Sequence, residues 1–239
     1  MMKKKNDPDW TSRSFTKPIC KLYEDEFFIA FDKPAGLLVV PTNRAEENTL
    51  TNIVNFQFRE GDQGCKLHPC HRLDRETSGA ILYAKGKKSQ QIMMSLFQEK
   101  KIEKKYVAFV WGRLSRKSGV IDRTVMHREK RNLHPGAKPL KAQTEYKVVD
   151  EKKYFSVVEV KPLTGRTNQI RIHFKDIGYP LVGERKYVIA KDYPLRFKRV
   201  ALHSLELSFQ HPETGIEVSI KSDFPEDMKK FLNKKKGNI

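Results

Sequence analysis

The sequence predicts an α+β fold built on a largely antiparallel, mixed sheet with flanking helices and loops. Short β-branched and aromatic runs outnumber the segments with helical periodicity. Most of these runs are joined by turn residues and not by helices, which favours antiparallel neighbours. Of the 239 residues 38% are hydrophobic and 14 are Phe, gathered in bursts, so one large domain with a sizeable core is affordable.

Residues 1–17 are polar and lysine-rich, with only Trp10 and Phe15 apolar, and read as a flexible basic arm before a domain over residues 18–232. Tyr23 to Phe31 passes from a charged turn into an aromatic strand, which Lys33-Pro34-Ala35-Gly36 breaks. Leu37 to Val40 is a second short apolar run closed by Pro41. Leu50, Ile53, Val54 and Phe58 recur at helical spacing, so a helix begins near Asn48 or Thr49. Ala80 to Ala84 reads as a buried strand. Ile92, Met93, Leu96 and Phe97 form one helical face directed at the core. Lys105 to Trp111 is a strand ending at Gly112. Thr144 to Val149 with Tyr154 to Val160, and Leu205 to Phe209 with Ile216 to Ile220, read as hairpins. Phe224-Pro225 introduces a last helix carrying Met228, Phe231 and Leu232, and residues 233–239 form a basic tail.

Lys and Arg number 47 against 29 Asp and Glu, a net charge of +18. The excess gathers between Lys85 and Lys105 and between Arg113 and Lys141. Such windows suit a polyanion, since lysine and arginine release the counterions held on a phosphate backbone. The longest uncharged apolar stretch, Ala35 to Val40, is far below the roughly 20 residues of a membrane span. Met1 to Lys5 resembles the start of a signal peptide, but Asn6-Asp7-Pro8-Asp9 stands where an apolar region would follow. A cytoplasmic protein without membrane association is expected. Cys20, Cys65 and Cys70 offer no disulfide framework and are read as reduced thiols.

The densest chemical cluster runs from His68 to Gly79. Asp74 lies between Arg72 and Arg75 on a loop rich in Thr, Ser and Gly, and a nearby guanidinium would hold it ionised, fit to act as nucleophile or base. A structural Arg–Asp bridge in a turn fits the same residues. A second cluster, Pro162 to His173, offers Arg166, Gln169 and Arg171 as donors suited to phosphate or a base edge.

His71-Arg72-Leu73-Asp74-Arg75-Glu76-Thr77-Ser78-Gly79 closely resembles the signature around the active-site aspartate of the RluA-like pseudouridine synthases. Asp32 to Leu37, Lys105-Tyr106, Gly165 to His173 and Ala201 to Ser204 agree in the same order, so the resemblance covers about residues 20–225. It implies the pseudouridine synthase catalytic fold and isomerisation of a specific uridine in structured RNA, ribosomal or transfer, without metal or organic cofactor. Asp74, Tyr106 and Arg166 are the implied catalytic residues. Asp74 would stabilise C1′, add to it or take a neighbouring proton; Arg166 would pair with Asp74, and Tyr106 would stack on the uracil. Arg72, Thr77, Gln169 and Arg171 are the implied substrate contacts, with Arg72 holding the flipped nucleotide. Two positions depart from the family pattern: Asn168 stands where His is usual and Glu184 where Asp is usual. Neither is expected to touch the aspartate. An extra amino-terminal RNA-binding domain is expected to be absent, and a monomer with no obligate protein partner is expected.

Three rival readings start from the same residues. Cys65, His68, Cys70 and His71 could ligate zinc, though the adjacent Cys70 and His71 are hard to aim at one tetrahedral ion. An RNA-binding protein could keep the fold without the chemistry. A metal-dependent nuclease would need more carboxylates beside Asp74 than Glu76. His173 and His203 are expected to be structural, and Met93 and Met94 to serve packing or the helix surface.

Overall fold

The computed structural model describes residues 18–60, 65–125, 139–189 and 197–234. The expected arm over 1–17 lies outside them, as do residues 235–239 of the tail and 126–138 of the second basic window. Among the described residues no helix is long and apolar enough to cross a membrane.

Asp25 starts the sheet: its Oδ1 accepts the N–H groups of Phe27 (2.7 Å) and Phe28 (2.6 Å), closing a side-chain turn between β1 (Lys21–Glu24) and β2 (Phe28–Lys33). The run after Gly36 makes no extended strand. Its carbonyls instead cap a helix, with Leu50 N–H donating to Leu38 O and Thr51 N–H to Val39 O at the start of α1 (Leu50–Glu60). The helix therefore begins within two residues of its expected start. β3 (Leu67–Pro69) leads through the aspartate loop into β4 (Ser78–Lys85), which is buried along nearly its whole length. α2 (Lys87–Gln98) and β5 (Glu103–Trp111) follow, then β6 (Ser118–Val125), β7 (Leu140–Glu151) and β8 (Phe155–Pro162) as an antiparallel meander. α3 (Gln169–Asp176), the hairpin of β9 (Leu202–Gln210) with β10 (Glu217–Lys221), and α4 (Glu226–Lys234) complete the chain.

The strands form one sheet ordered β1-β2-β4-β9-β5-β8-β7-β6, with β10 on β9 and β3 on β4. Among the described strands every pairing is antiparallel except β4 with β9, where only Ser78–His203 and Gly79–Ser204 face each other. This short parallel seam joins the early strands to the later ones. β4 and β5 alternate across the sheet: Ile81, Tyr83, Tyr106 and Ala108 share a core with α1 and α3, whereas Leu82 packs with Met93 of α2 and Phe109 with Met228 and Phe231 of α4. Arg199 fastens α4 to the seam. Its Nε and Nη2 hold Asp227 at 2.7 and 3.0 Å, while Nη1 donates to the carbonyls of Glu76, Val200 and Leu202.

β1, β3, β6 and α3 were not signalled by the sequence pattern; Tyr23 and Glu24, expected in a charged turn, end β1. β6 is mostly exposed and has no apolar alternation; its order comes from pairing with β7 over its full length. In α3 the alternation of Ile170 and Ile172 obscures the buried pair Ile170 and Phe174, four residues apart on one helical face.

The seam depends on Gly79. Its φ of +109° lies where side chains are strained, and a Cβ there would meet Ser204 O at 2.2 Å. Gly178, just beyond α3, has a φ of +86° but open space around it. Gly79→Ala is therefore expected to lower the unfolding free energy by more than about 3 kcal/mol and Gly178→Ala by only about 1–2 kcal/mol. The urea midpoints of the two variants give the comparison.

Candidate active site

Residues 70–77 form a loop whose backbone is held from several sides. Cys70 N–H donates to Leu82 O, and Leu82 N–H returns to Nε2 of His71 at 3.1 Å. Thr77 N–H closes onto Asp74 O, and Gly36 N–H binds Arg75 O at 2.7 Å. Beneath the loop Lys33 is fully buried, its Nζ donating to Leu37 O (2.8 Å), Pro34 O (3.0 Å) and Arg75 O (3.2 Å). Burial pushes the Lys33 ammonium down to about 7, against the attraction of Asp74. A rigid turn results, and its free side chain is Asp74.

Asp74 lines a cleft of about 1260 Å³. Among the described residues its carboxylate accepts no hydrogen bond. Burial is the strongest influence on it and raises its pKa above the ordinary carboxylate value, outweighing the charges of Arg171, Arg72, Lys33 and Lys186, in that order. The sequence expectation of an aspartate kept low by flanking guanidiniums is thus corrected. Arg75 turns away to Glu46 (3.5 Å), and enclosure by the protein exceeds what the remaining cations restore.

The arginine that acts most on Asp74 is Arg171, not Arg166. Arg166 is exposed, its N–H fixed by Gln169 and its Nε directed to Lys141 O (3.4 Å). Arg171 lies on the buried side of α3. Its Nε and Nη2 grip both oxygens of Glu184 at 2.7 and 2.8 Å, its Nη1 donates to Asn168 Oδ1 at 3.0 Å, and Glu76 is 3.5 Å from Nη2. Glu184 also accepts the N–H groups of Arg185, Lys186 and Tyr187. Burial works to raise the Glu184 carboxyl, but the bonds and charge of Arg171, joined by backbone N–H groups, outweigh it and hold the carboxyl below its usual range. Asn168 takes up the left-handed backbone (φ 54°), which Asn tolerates better than most residues. The two departures from the family pattern therefore meet on one guanidinium and reach Asp74 through it.

Two expected substrate contacts have other work. Arg171 is buried and occupied as described. The Gln169 amide is saturated: its carbonyl accepts Thr164 Oγ1 and Arg166 N–H, and its Nε2 donates to Gln143 O and Thr144 Oγ1. It fastens the 163–167 loop to β7 and has no donor left for a ligand. Thr77 is buried and lines the cleft below Asp74, whereas Arg72 is exposed there. Tyr106 is buried in the cleft wall, its phenol pushed above its ordinary value first by burial and also by the Asp74 charge. Lys33 and Glu76 were missed as site residues. The signal for Lys33 was a lysine ending an otherwise apolar strand.

Two of the four residues weighed for zinc are used elsewhere. His71 gives Nε2 to Leu82 N–H and packs on Phe97, and Cys70 directs its thiol at His68 O. Among the described residues no three His, Cys, Asp or Glu come together as a metal site. His203 is fixed between Ser78 Oγ (2.9 Å) and Ser222 O, and burial lowers it to about 4; His173 meets Arg123 O. Both are structural, as expected.

An aspartate without a hydrogen-bond partner, set beside a tyrosine and a fixed arginine in a wide cleft, accords with what the chain is similar to. Residues 27–176 match the family model described as RNA pseudouridylate synthase. The chain belongs to this family. Its members include YhcT of Bacillus subtilis, named an RNA pseudouridine synthase, which is 33% identical over 87% of this chain and 69% of its own length. Ribosomal large subunit pseudouridine synthase D of Nitrosomonas europaea is 33% identical over 90% of this chain and 64% of its own. The human RNA pseudouridylate synthase domain containing 4 structure has the same fold, with a TM-score of 0.75 at 22% identity over 92% of this chain and 94% of that one. RNA pseudouridine synthases are isomerases, and the α+β fold expected from the sequence is the fold observed.

The two arginines make separable predictions for pseudouridine formation. Replacing the buried pair together, Arg171→Met with Glu184→Gln, removes the main cation opposing burial of Asp74 without leaving Glu184 as an unpaired buried carboxylate, although Glu76 loses its contact with Arg171. The Asp74 pKa then rises, so the acidic limb of the rate–pH profile should move up by about one pH unit or more. Arg166→Met should leave that limb in place. Release of tritium from RNA labelled at uridine C5, followed against pH, provides the measurement.

Proposed function

We propose that this chain converts a specific uridine of structured RNA to pseudouridine, with Asp74 as the catalytic carboxylate. The observation that carries the reading is the carboxylate itself: raised by burial, free of hydrogen bonds, and held on a rigid turn beside Arg72 and Tyr106. As the C1′–N1 bond breaks, the ribose develops positive charge at C1′, which a carboxylate can stabilise or bond to, as in glycoside hydrolysis. The freed uracil turns, C5 bonds to C1′, the C5 proton leaves, and N1 regains a proton. Arg171 keeps Asp74 available as the anion. Tyr106, a neutral phenol at neutral pH, suits contact with the uracil face and not the part of a standing base. Arg72, exposed in the cleft, would hold the nucleotide flipped into the site.

The nearby basic side chains would receive the phosphates, and a flipped base needs a loop or an opened helix. Of ribosomal and transfer RNA, the ribosomal class is favoured by the name of the Nitrosomonas relative. A monomer acting in the cytoplasm belongs to the same reading.

Asp74→Asn keeps the shape of the side chain and removes the negative charge. This variant should bind RNA as well as the parent and form no pseudouridine; product from it would overturn the assignment. Binding by the parent should weaken steeply with salt, the slope of log K against log[salt] giving the number of phosphates met. A flat dependence would count against the basic surface as the RNA contact. The substrate follows from a pseudouridine map of RNA from cells with and without the gene, in which the dependent site disappears.

A further inference from the structure

Lys104 and Phe97 have no part in the chemistry above, yet both line the cleft. Lys104 is two residues before Tyr106 on β5, so the two side chains leave the same side of the strand about 7 Å apart. Its ammonium lies against Gly165, 3.9 Å from where a side chain there would begin. Among the described residues it has no hydrogen-bond or ion-pair partner, whereas its neighbours Glu103 and Lys105 are paired with Lys161 and Glu206. Partial burial lowers its pKa, with no anion to offset the loss of water. A cation desolvated without a partner destabilises a fold, and the imbalance ends when an anion enters the cleft.

The same cleft is lined by a ring pair. His71 and Phe97 pack with centroids 4.8 Å apart at 40°. His71 cannot turn, because Nε2 accepts Leu82 N–H at 3.1 Å, and burial lowers it to about 3, so the ring stays neutral. Phe97 is thereby backed by a fixed ring, in the cleft that Arg72 and Asp74 also line.

We propose that Lys104 and the Phe97–His71 pair form a second nucleotide subsite, taking the phosphate and base of a residue that flanks the uridine in the reactive position. Lys104 binds the phosphodiester, and Phe97 presents its ring to the flanking base. Stacking of this kind accepts any base, so the subsite contributes hold and register to the RNA and leaves the choice of uridine to other contacts. The inference rests on the RNA reading above.

The test uses the full chain with a fluorescein-labelled oligouridylate of about ten nucleotides, followed by anisotropy. Lys104→Met should weaken binding about tenfold and reduce the magnitude of the slope of log K against log[salt] by about 0.7, the value for one single-strand phosphate. Lys104→Arg should restore both. Phe97→Leu should weaken binding about tenfold with the slope unchanged. Lys153→Met, at an exposed position in the turn between β7 and β8, outside the cleft and both basic windows, should change neither. Because the ammonium is unneutralised in the free protein, Lys104→Met should also raise the urea midpoint; a fall would mark Lys104 as a structural residue and overturn the proposal. Parental affinity and slope in Lys104→Met, or parental affinity in Phe97→Leu, would overturn it too. Tritium release by the unaltered protein, measured on labelled RNA from cells lacking the gene, separates the two readings. Release without the binding losses removes the subsite alone. The binding losses without release leave the subsite and remove the synthase.

Discussion

The two-residue parallel seam between Ser78–Gly79 and His203–Ser204 is the constraint on which the site depends. The aspartate loop enters the sheet at this point, and β5 lies on the other side of β9. The seam thereby brings a loop from the first third of the chain beside Tyr106 of β5 and, through β5, β8 and β7, beside α3. Antiparallel hairpins alone would leave these segments with their own neighbours. A parallel pair so short contributes little hydrogen bonding, so its stability comes from close backbone approach at Gly79 and from the side chains clamped around it. Ser78 with His203, and Arg199 with Glu76 O and Leu202 O, are those clamps.

Three buried cations follow from that arrangement. A loop packed against a sheet has carbonyls that no ladder satisfies, and unsatisfied buried carbonyls are costly. Lys33 covers Arg75 O from below and Arg199 covers Glu76 O from the side. Arg171 differs, since its partners are acidic side chains and its effect on Asp74 is exerted through charge. Mobile loops could not support this electrostatics, because an ion pair stabilises a neighbouring charge only while its geometry is held. Asn168 and Glu184 supply that hold from opposite ends of the guanidinium.

The sequence made the strands and Asp74 legible for different reasons. Strands such as Ala80 to Ala84 and the 205–220 hairpin show as alternation or dense apolar runs, which depend only on burial. Asp74, Arg72 and Tyr106 show because their residue types stand in contiguous motifs. The choice between Arg166 and Arg171 depended on something a linear pattern does not hold: whether residues 169–176 coil. As a helix, the segment turns Arg171 inward and leaves Arg166 on the preceding loop, and Ile172 spoiled the apolar signal for that helix. Gln169 was misread in the same way. An amide in a basic segment looks like a ligand for RNA until the strand at Gln143 and Thr144 is folded against it.

The burial of Asp74 bears directly on how a carboxylate of this kind works. In the open cleft, enclosure already favours the protonated form, and Arg171, Arg72 and Lys33 oppose it. RNA filling the cleft would displace more water and strengthen both effects, since charge–charge energies and desolvation penalties grow together as the surrounding dielectric falls. The balance then turns on which partners keep their positions. Arg171 keeps its place because Glu184 and Asn168 grip it from within the protein, whereas Arg72 is exposed and free to follow the nucleic acid. The carboxylate would thus remain anionic through a fixed cation while the mobile one engages substrate. If Asp74 acts as proposed, positive charge growing at C1′ would stabilise that anion further, by the bond it forms or the charge it faces. On the proposed chemistry, a half-buried, unbonded aspartate is costly to maintain in the free protein, and the cost would be offset as the sugar develops its charge.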